Sequence, residues 1–425
     1  MLPRRPFLQA LGSACAGAAL GGCARGRGLR ARALVVAAYP SLDQVARQAL
    51  PAWRGLHPTV PLQVVSRQVG DHHTAMLTAL ATGEDMPDVM AVEVGYLGRF
   101  ARGGGLQDLA QPRYGIAAHR ADYTAYAYDQ ARQRDGSVVA APVDIGPGTL
   151  LYRGDLAHAA GVAPAEMQSS WQGFLRAGQA IRRSTGAWLV ADAGDVLDIV
   201  IRSGLPAGAG VYFDAAGRPA LHERRFARGF ELAAQVRRLG LDARVRAWSP
   251  AWASAIRRGR IATLLSGAWL AGHLATWLAP RSRGLWRAAQ LPAGSWVAYG
   301  GSFLAIPARV PRWRKALAWD FLRLLTLDPR RQIQAFRSVD AFPALVRTYD
   351  DPFFDSPIAY LGGQRARRLW RTAAWNIRAV RLDSQDAFAS EVVASALYDV
   401  LERGVPAAQS LARAQRLLQQ RVGQA

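Results

Sequence analysis

Apolar runs alternate with amphipathic stretches at the spacing of βαβ units in the first part of this 425-residue chain. Three runs are typical of buried strands, namely ALVVAAY (33–39), LQVVSRQV (62–69) and DVMAVEV (88–94). Residues 41–58 and 73–83 between them have helical spacing, with Ser41 as the expected N-cap and Gly83 as the expected end. Strands that alternate with helices in this way predict an α/β fold built on a mostly parallel sheet.

The same pattern continues further along the chain. SVVAAPVD (137–144) and GTLLYRGDLAHAAG (148–161) predict a strand and then a strand that leads into a helix, and several helices follow between 171 and 280. YGGSFLAIP (299–307) predicts a strand after a glycine turn, and Pro311 is expected near the start of the next helix. The end of the chain, from about 384 to 422, is predicted to be mostly helical. A chain of this length is expected to form two or three domain-sized units or two lobes of one fold.

The N-terminal residues have the organisation of an export signal. Arg4 and Arg5 precede a short uncharged apolar stretch, and Leu20-Gly21-Gly22-Cys23 resembles a bacterial lipobox. The pattern predicts a twin-arginine-like signal peptide at 1–22, lipidation at Cys23 and a tether at 23–32. A buried N-terminal helix is the alternative. An exported protein anchored by lipid would lie in the periplasm or cell envelope, and without Cys15 it would contain no disulfide.

The basic composition does not by itself predict nucleic-acid binding. The chain has 53 Lys and Arg residues against 31 Asp and Glu, a formal charge of +22. Lys315 is the only lysine, and the arginines are spread through every segment rather than gathered in one stripe. The charge therefore indicates a compositional bias, and no nucleic-acid partner is predicted. The segment closest to a membrane span, 261–279, is interrupted by Ser266, His273 and Thr276.

No catalytic or metal-binding motif is present in the sequence. Gly-X-Ser-X-Gly, phosphate-binding glycine loops and His-Glu-X-X-His are absent, and the seven histidines lack metal-ligand spacing. No cofactor, metal or catalytic residue is therefore predicted. Asp192, Asp195 and Asp198 lie close enough in sequence to leave an exported glycan-cleaving enzyme open, although three charges on a solvated turn or helix are the commoner explanation.

Five segments, in order, resemble one protein family. They are MLTALATGEDMPDVMAV (76–92), DGSVVAAPVDIGPGTLLYRGDLAHAAGVAPAEMQSSWQGFLRAGQAI (135–181), IRRGRIATLLSGAWL (256–270), YGGSFLAIPARVPRWRKALAWDFLRLLTLDPRRQ (299–332) and FPALVRTYDDPFF (342–354). Together they resemble the extracellular solute-binding proteins of ABC importers, of the sugar-binding type related to maltose-binding proteins. Leu265 departs from the family pattern, which usually has Met there. The resemblance covers most of residues 34–422.

The resemblance implies a bilobal fold of the type II periplasmic binding-protein class. Two mixed α/β lobes would be joined by a hinge, with the chain crossing between them near 142–147 and 298–303. Lobe 1 would comprise 33–142 plus 304–346, and lobe 2 would comprise 143–303 plus 347–425. The implied function is high-affinity capture of a small polar solute, with a carbohydrate as the expected class, by a monomer that delivers it to ABC permease subunits. An envelope solute sensor with the same fold is the alternative.

Candidate ligand contacts were sought among aromatic and planar polar side chains, because sugars offer flat CH faces and hydroxyl rims. Trp269 follows small residues and matches the family's stacking tryptophan, so it is the first candidate. Trp171 and Trp319 are expected in the core. The adjacent His72 and His73 are expected to be exposed to solvent rather than to contact a ligand. The abundance of arginine leaves an anionic sugar open. The full set of predicted contacts is Tyr39, His72, Glu93, Tyr96, Asp144, Trp269, Gly301, Ser302, Trp375 and Arg378.

Overall fold

The structure, a computed structural model, describes residues 33–423. The predicted signal peptide, Cys23 and the tether lie outside the described residues. The strands are β1 (Leu34–Ala38), β2 (Leu62–Ser66), β3 (Val89–Glu93), β4 (Ala141–Arg153), β5 (Thr263–Gly267), β6 (Trp286–Ala289) and β7 (Ala298–Ala305). The helices are α1 (Leu42–Gln48), α2 (Leu50–Leu56), α3 (Val69–Thr82), α4 (Val94–Ala101), α5 (Ala125–Ala131), α6 (Gly154–Ala159), α7 (Pro164–Ser169), α8 (Trp171–Thr185), α9 (Gly194–Arg202), α10 (Arg224–Arg238), α11 (Pro250–Arg257), α12 (Leu270–His273), α13 (Arg312–Thr326), α14 (Pro329–Val339), α15 (Ala366–Asn376), α16 (Asp386–Arg403) and α17 (Ala407–Gly423).

The strands form one mixed sheet in the order β2-β1-β3-β7-β4-β5, with β6 also paired to β4. β1 is parallel to β2 and β3, as the βαβ spacing predicts, while β7 runs antiparallel to β3 and β4. Four of the five β1 residues are buried, since helices cover the sheet. The carboxyl ends of β1 and β3 therefore lie at the same edge, which is where parallel sheets place ligands.

β4 is a single strand of 13 residues that serves both halves of the sheet. Its first part, Ala141–Pro147, pairs with β7, and its second part, Gly148–Arg153, pairs with β5 and β6. The expectation of two separate strands at 137–144 and 148–152 is therefore wrong. We call the part around β1, β2, β3 and β7 the first lobe, and the part around β5, β6 and the second part of β4 the second lobe.

Some helix boundaries agree with the sequence prediction and others do not, since α3 begins at Val69 rather than at His73. α3 ends at Gly83, which has a φ of 82° that only glycine adopts easily, and α13 begins directly after Pro311. The predicted helix at 41–58 is instead two short helices that meet at Ala49. Ser41 occupies the N-cap position as predicted, but its φ is 76° and its side chain makes no capping hydrogen bond.

Two clusters of buried apolar side chains stabilise the molecule. The larger one fills the first lobe and continues to Trp252 and Trp286 of the second lobe. The smaller one lies between the second part of β4 and the helices α8, α9, α10, α16 and α17. Trp171 and Trp319 are both buried, which confirms their predicted core role. Because the larger cluster extends past β4, the two lobes share part of their packing.

The apolar segment 261–279 does not form one long helix. It contributes β5, then Trp269 and the short helix α12, and then a single π-helical turn at Leu274–Leu278. No helix in the described chain, 33–423, combines the length and apolar character needed to cross a bilayer. The small residues Ser266, Gly267 and Ala268 end the strand and place Trp269 beside the strand crossing.

Candidate functional site

Three polar side chains lie side by side across neighbouring strands. Ser302 of β7 is in register with Glu93 at the end of β3 and with Asp144 of β4. Tyr39 directly follows β1, the next strand of the sheet. The topology thus gathers four predicted ligand residues into one row, which we call the polar row (Tyr39, Glu93, Ser302 and Asp144).

Burial controls the electrostatics of the polar row. It raises the pKa of Asp144 to about 6, although the neighbouring Ser302 hydroxyl and amide favour the charged form. Burial likewise raises the pKa of Glu93 to about 7, against a 2.8 Å hydrogen bond from the Gly95 amide and the field of Arg202. The Tyr39 hydroxyl is buried without a hydrogen-bond partner. The row therefore presents carboxyl and hydroxyl groups whose hydrogen-bonding capacity is only partly used.

Two buried histidines, His72 and His73, pack against residues of the polar row. His73 accepts a 3.0 Å hydrogen bond from the Glu93 amide at Nε2, and its Nδ1 lies 2.6 Å from the Val69 carbonyl oxygen. These partners fit a neutral imidazole that donates from Nδ1. Burial lowers the pKa of His73 to about 4 and also lowers that of His72. The expectation of a solvated pair is wrong, because neither ring reaches solvent.

Ring packing places Tyr39 and Tyr96 against the two histidines. The His73 ring stacks on Tyr96 with centroids 3.8 Å apart, and Tyr39 meets His72 edge-on at 5.4 Å. Nε2 of His72 lies 2.7 Å from the Ala91 carbonyl oxygen. His72, predicted as a ligand contact, thus lies beneath Tyr39, where its contacts favour a supporting role.

Trp269 lies against the crossing strand β7 from the second lobe. Its Nε1 donates a 2.8 Å hydrogen bond to the Tyr299 carbonyl oxygen. A Cβ at Gly300 would lie 2.9 Å from that nitrogen, and one at Gly267 would overlap it. The two glycines are therefore required for the approach of the indole, which remains half-buried.

The second lobe contributes a group of charged side chains, of which the sequence analysis named the aspartates but missed Arg202. Arg202 at the end of α9 donates from Nε and Nη2 to Asp198 Oδ1, both at 3.2 Å. Asp198 and Asp195 also act electrostatically on the hydroxyl of Tyr299, and Arg202 acts on Glu93 of the first lobe. Burial raises the pKa of Asp195 to about 7. The two lobes therefore place ionisable groups within electrostatic reach of each other.

The sequence profile of bacterial extracellular solute-binding proteins matches residues 56–359, more than two thirds of the chain. The chain belongs to that family. A search of proteins of curated function finds no match to this solute-binding protein.

Solved structures of other binding proteins share the fold of this solute-binding protein. An extracellular solute-binding protein of family 1 superposes with a TM-score of 0.79 at 24% identity, covering 90% of this chain and 98% of its own. The ABC-transporter-associated binding protein of Bifidobacterium animalis subsp. lactis, solved with β-1,6-galactobiose, gives 0.73 at 23%, covering 91% and 96%. The sugar-binding protein MalE of Xanthomonas citri gives 0.74 at 18%, covering 91% and 96%. These matches confirm the predicted bilobal α/β fold.

The remaining predicted contacts lie away from the polar row or beside it. Gly301, with a φ of 131°, lies next to the Asp144 carbonyl in the crossing strands. Trp375 is 60% exposed and meets Tyr349 edge-on at 5.6 Å. Arg378 lines a separate groove of about 1130 Å³. A ligand contact at Trp375 or Arg378 stays a prediction in this solute-binding protein.

The distribution of charge bears on the anionic sugar that the abundance of arginine left open. Glu93, Asp144, Asp195 and Asp198 lie around the strand crossing, and Arg202 is paired with Asp198. Five arginines line the groove of Arg378, namely Arg202, Arg224, Arg225, Arg228 and Arg378 itself. Among residues 33–423, no group of His, Cys, Asp and Glu side chains is arranged to hold a metal ion.

Proposed function

We propose that this solute-binding protein captures a neutral carbohydrate at the strand crossing and delivers it to an ABC permease without chemical change. The observation that carries the proposal is the polar row in the first lobe together with Trp269 at the crossing in the second. Carboxylates accept sugar hydroxyl protons, and an indole face packs on the apolar face of a sugar ring. Two proteins that share this fold are the Bifidobacterium protein solved with β-1,6-galactobiose and the sugar-binding protein of Xanthomonas citri.

The carboxylates favour a neutral sugar over an anionic one. Bringing a uronate or sugar phosphate beside Glu93 and Asp144 would place like charges together in a partly buried site. Arg202 is the cation whose field reaches Glu93, and it is already hydrogen-bonded to Asp198. A neutral oligosaccharide can instead donate its hydroxyls to the row without this electrostatic cost.

Closure is proposed to occur about the crossing strands near 142–147 and 298–303, with the lobe boundaries predicted from the sequence. The pairing of β4 with β7 is irregular between Pro142 and Asp144 and again between Ile145 and Pro147. Gly300 and Gly301 have positive φ angles of 84° and 131°. Irregular pairing and glycine both ease changes in backbone dihedral angles, which supports a hinge here. Export as a monomer anchored through a lipidated Cys23 completes the proposal.

The test is a thermal-shift screen of the purified Cys23→Ser protein against neutral mono- and oligosaccharides, uronic acids, sugar phosphates, polyols and polyamines. A ligand at 100 times its Kd stabilises the folded state by about 2.7 kcal/mol, which gives a measurable rise in Tm. We expect neutral saccharides to raise the Tm and the anionic sugars to have no effect.

Trp269→Ala and Trp313→Ala form the matched pair of variants for this screen. Trp313 is 61% exposed on α13 and lies outside the site, so its removal should leave the shift intact. Trp269→Ala should weaken binding by about 1–3 kcal/mol. A cooperative melt that no saccharide shifts, or a Trp269→Ala protein that binds as well as the Trp313→Ala protein, would contradict the proposal.

A further inference from the structure

Ala33, the first described residue, lies at the opposite end of β1 from the polar row. Tyr39 follows β1, and because each residue of a strand rises about 3.3 Å, roughly 20 Å of chain separates the two ends. Residues 23–32 directly precede Ala33 in the sequence, and a segment of that length spans at most about 35 Å when fully extended. A lipid on Cys23 would therefore hold this end of β1 close to a membrane surface.

Arg314 connects the start of β1 to the first turn of α13. Its guanidinium donates hydrogen bonds to the Ala33 carbonyl oxygen and to both carboxylate oxygens of Asp88. Asp88 also accepts a 2.7 Å hydrogen bond from the Val35 amide. Arg314 and Asp88 are buried, and charge-assisted hydrogen bonds of this kind are strong. The side chains at the start of α13 are therefore held beside the point where the chain enters the first lobe.

Trp313 is an exposed aromatic side chain at this point. It is the second residue of α13, 61% of its surface is exposed, and the Arg314 guanidinium carbon lies 5.1 Å from its ring centroid. One exposed apolar side chain is common and by itself indicates no partner. Tryptophan is, however, enriched where proteins meet the membrane–water boundary, because the indole combines an apolar body with a polar N–H group. The charges around Trp313 therefore decide what it contacts.

Three cations lie in the same neighbourhood. Arg312 and Lys315 belong to the first turn of α13, which contains no acidic residue. The Arg113 guanidinium carbon lies 4.9 Å from the ring centroid of Tyr114, and both Arg113 and Arg312 act electrostatically on the Tyr114 hydroxyl. Burial and the field of Arg113 together lower the pKa of Lys315. We call Arg113, Arg312, Trp313 and Lys315 the basic face.

The basic face is electrostatically unfavourable in the isolated protein. The amino end of a helix carries a partial positive charge, which favours acidic side chains in the first turn and disfavours basic ones. Among residues 33–423, neither Arg312 nor Lys315 forms an ion pair. The carboxylate of the neighbouring Asp108 accepts hydrogen bonds from the amides of Ala110 and Val138 instead. An external anionic surface would offset the repulsion among these cations.

We propose that the basic face rests on the head groups of an anionic lipid bilayer, with Trp313 at the membrane–water boundary. The inference rests on the proposed function in one respect, because the bilayer is the one to which the proposed lipid on Cys23 tethers the chain. Charge complementarity and the position of Ala33 both favour this partner, and four arginines among residues 23–32 add positive charge immediately before Ala33 in the sequence. In this orientation the polar row lies at the edge of the sheet away from the bilayer, so solute reaches it from solution.

The test measures how the purified Cys23→Ser protein partitions onto extruded vesicles, by co-sedimentation. One set of vesicles contains equal parts of phosphatidylglycerol and phosphatidylcholine, and the other contains phosphatidylcholine alone. Each set is used in low and in high salt. We expect binding to the anionic vesicles in low salt and much weaker binding in high salt or to the neutral vesicles, because salt screens interactions between exposed charges.

Two double variants locate the contact. Arg113→Gln/Arg312→Gln removes two exposed charges from the basic face, and Arg413→Gln/Arg416→Gln removes two exposed charges from α17 as the matched control. In low salt the first should bind anionic vesicles about 30-fold less tightly, whereas the control should stay within about twofold of the wild type. Trp313→Ala should also weaken the binding that remains in high salt, because its contact does not depend on charge.

The Tm of each variant and its response to saccharide guard the test against misfolding, and both should match the wild type because the basic face lies outside the site. Equal binding of the wild type to the two sets of vesicles, or equal losses in the two double variants, would overturn the inference and leave the proposed capture of sugar intact. A silent saccharide screen, together with a preference for anionic vesicles that depends on Arg113 and Arg312, would contradict the capture of sugar and support the inference.

Discussion

Asp144 is subject to two competing requirements, the stability of the fold and the proposed binding of ligand. It is half-buried in β4 next to Ser302, in a position that costs folding free energy if the carboxyl is charged. The same burial leaves the carboxyl poorly solvated and ready to accept a ligand hydroxyl. Groups of this kind are common at functional sites, because stability alone would replace them with amides or apolar residues.

The raised pKa of Asp144 gives a prediction about stability and pH. Its folded pKa, about 6, lies above its ordinary value of 3.8, so the folded protein holds the proton more tightly than the unfolded chain does. The resulting stabilisation is complete below pH 3.8 and is lost as the pH rises through 6. The unfolding free energy of the wild type should decrease between pH 4 and pH 7. Asp144→Asn should make this decrease smaller by on the order of 2 kcal/mol.

Urea unfolding of the ligand-free protein at several pH values measures this effect. Glu84→Gln, on an exposed turn, is the matched control and should reproduce the wild-type curve. The prediction is wrong if the Asp144→Asn and wild-type curves remain parallel over this range.

Strand-end reasoning located the polar row from the sequence because the carboxyl ends of parallel strands share an edge. Tyr39 and Glu93 could be placed together for that reason. Arg202 and Tyr299 were missed, since their encounter with Asp198 depends on long-range packing that no local pattern encodes. The triplet at 192, 195 and 198 was visible as a pattern, but its burial was not.

At the scale of elements, the approach of β4 to β7 depends on glycine. A Cβ on Gly146 would overlap the Tyr299 carbonyl oxygen, and one on Gly148 would lie 2.7 Å from that of Val297. Both contacts are with backbone, which cannot move aside as a flexible side chain can. The sequence Ile-Gly-Pro-Gly is thus explained by the closeness of two strands rather than by a turn.

Gly146→Ala should therefore destabilise the protein by about 1–3 kcal/mol, as overpacking does in other interiors. Gly55→Ala is the matched control, because Gly55 lies in α2 with no atom within 4 Å of the added methyl group. Alanine is the better helix former there, so this control should be neutral or stabilised by up to about 1 kcal/mol. Urea unfolding of both proteins would refute the prediction if Gly146→Ala were as stable as the wild type.

The sequence predicted the types of the helices and strands better than it predicted their boundaries. Residues 137–153 read as two strands because Gly146, Pro147 and Gly148 are typical of a turn. In the fold, those residues remain extended because β7 and β5 pair on either side of them. Pairing with strands distant in sequence keeps these residues extended, and a local sequence pattern does not predict such pairing.

At the scale of the molecule, the shared core predicts a limited closing motion. The larger apolar cluster continues from the first lobe to Trp252 and Trp286, so part of the packing must persist in any open or closed form. We expect the saccharide that raises the Tm to reduce the radius of gyration by a small but measurable amount, in a single step. Small-angle X-ray scattering across a ligand titration measures this change.

The closing prediction has a control in the same chain. Trp269→Ala should need more ligand to reach the same compact state, whereas Trp313→Ala should follow the wild-type titration. Scattering curves that do not change at saturating ligand, as judged by the thermal shift, would show that the protein binds without closing.

The continuity of β4 has a mechanical consequence. A flexible linker would let the two lobes rotate freely relative to each other. A hydrogen-bonded strand that belongs to both lobes resists twisting instead. Ala141–Pro147 and Gly148–Arg153 are each held by their own partners, so the proposed closure would twist β4 together with the crossing strand β7. In that proposal the twist of these paired strands would set the angle of opening, and each release of solute would return the two halves to the same starting alignment.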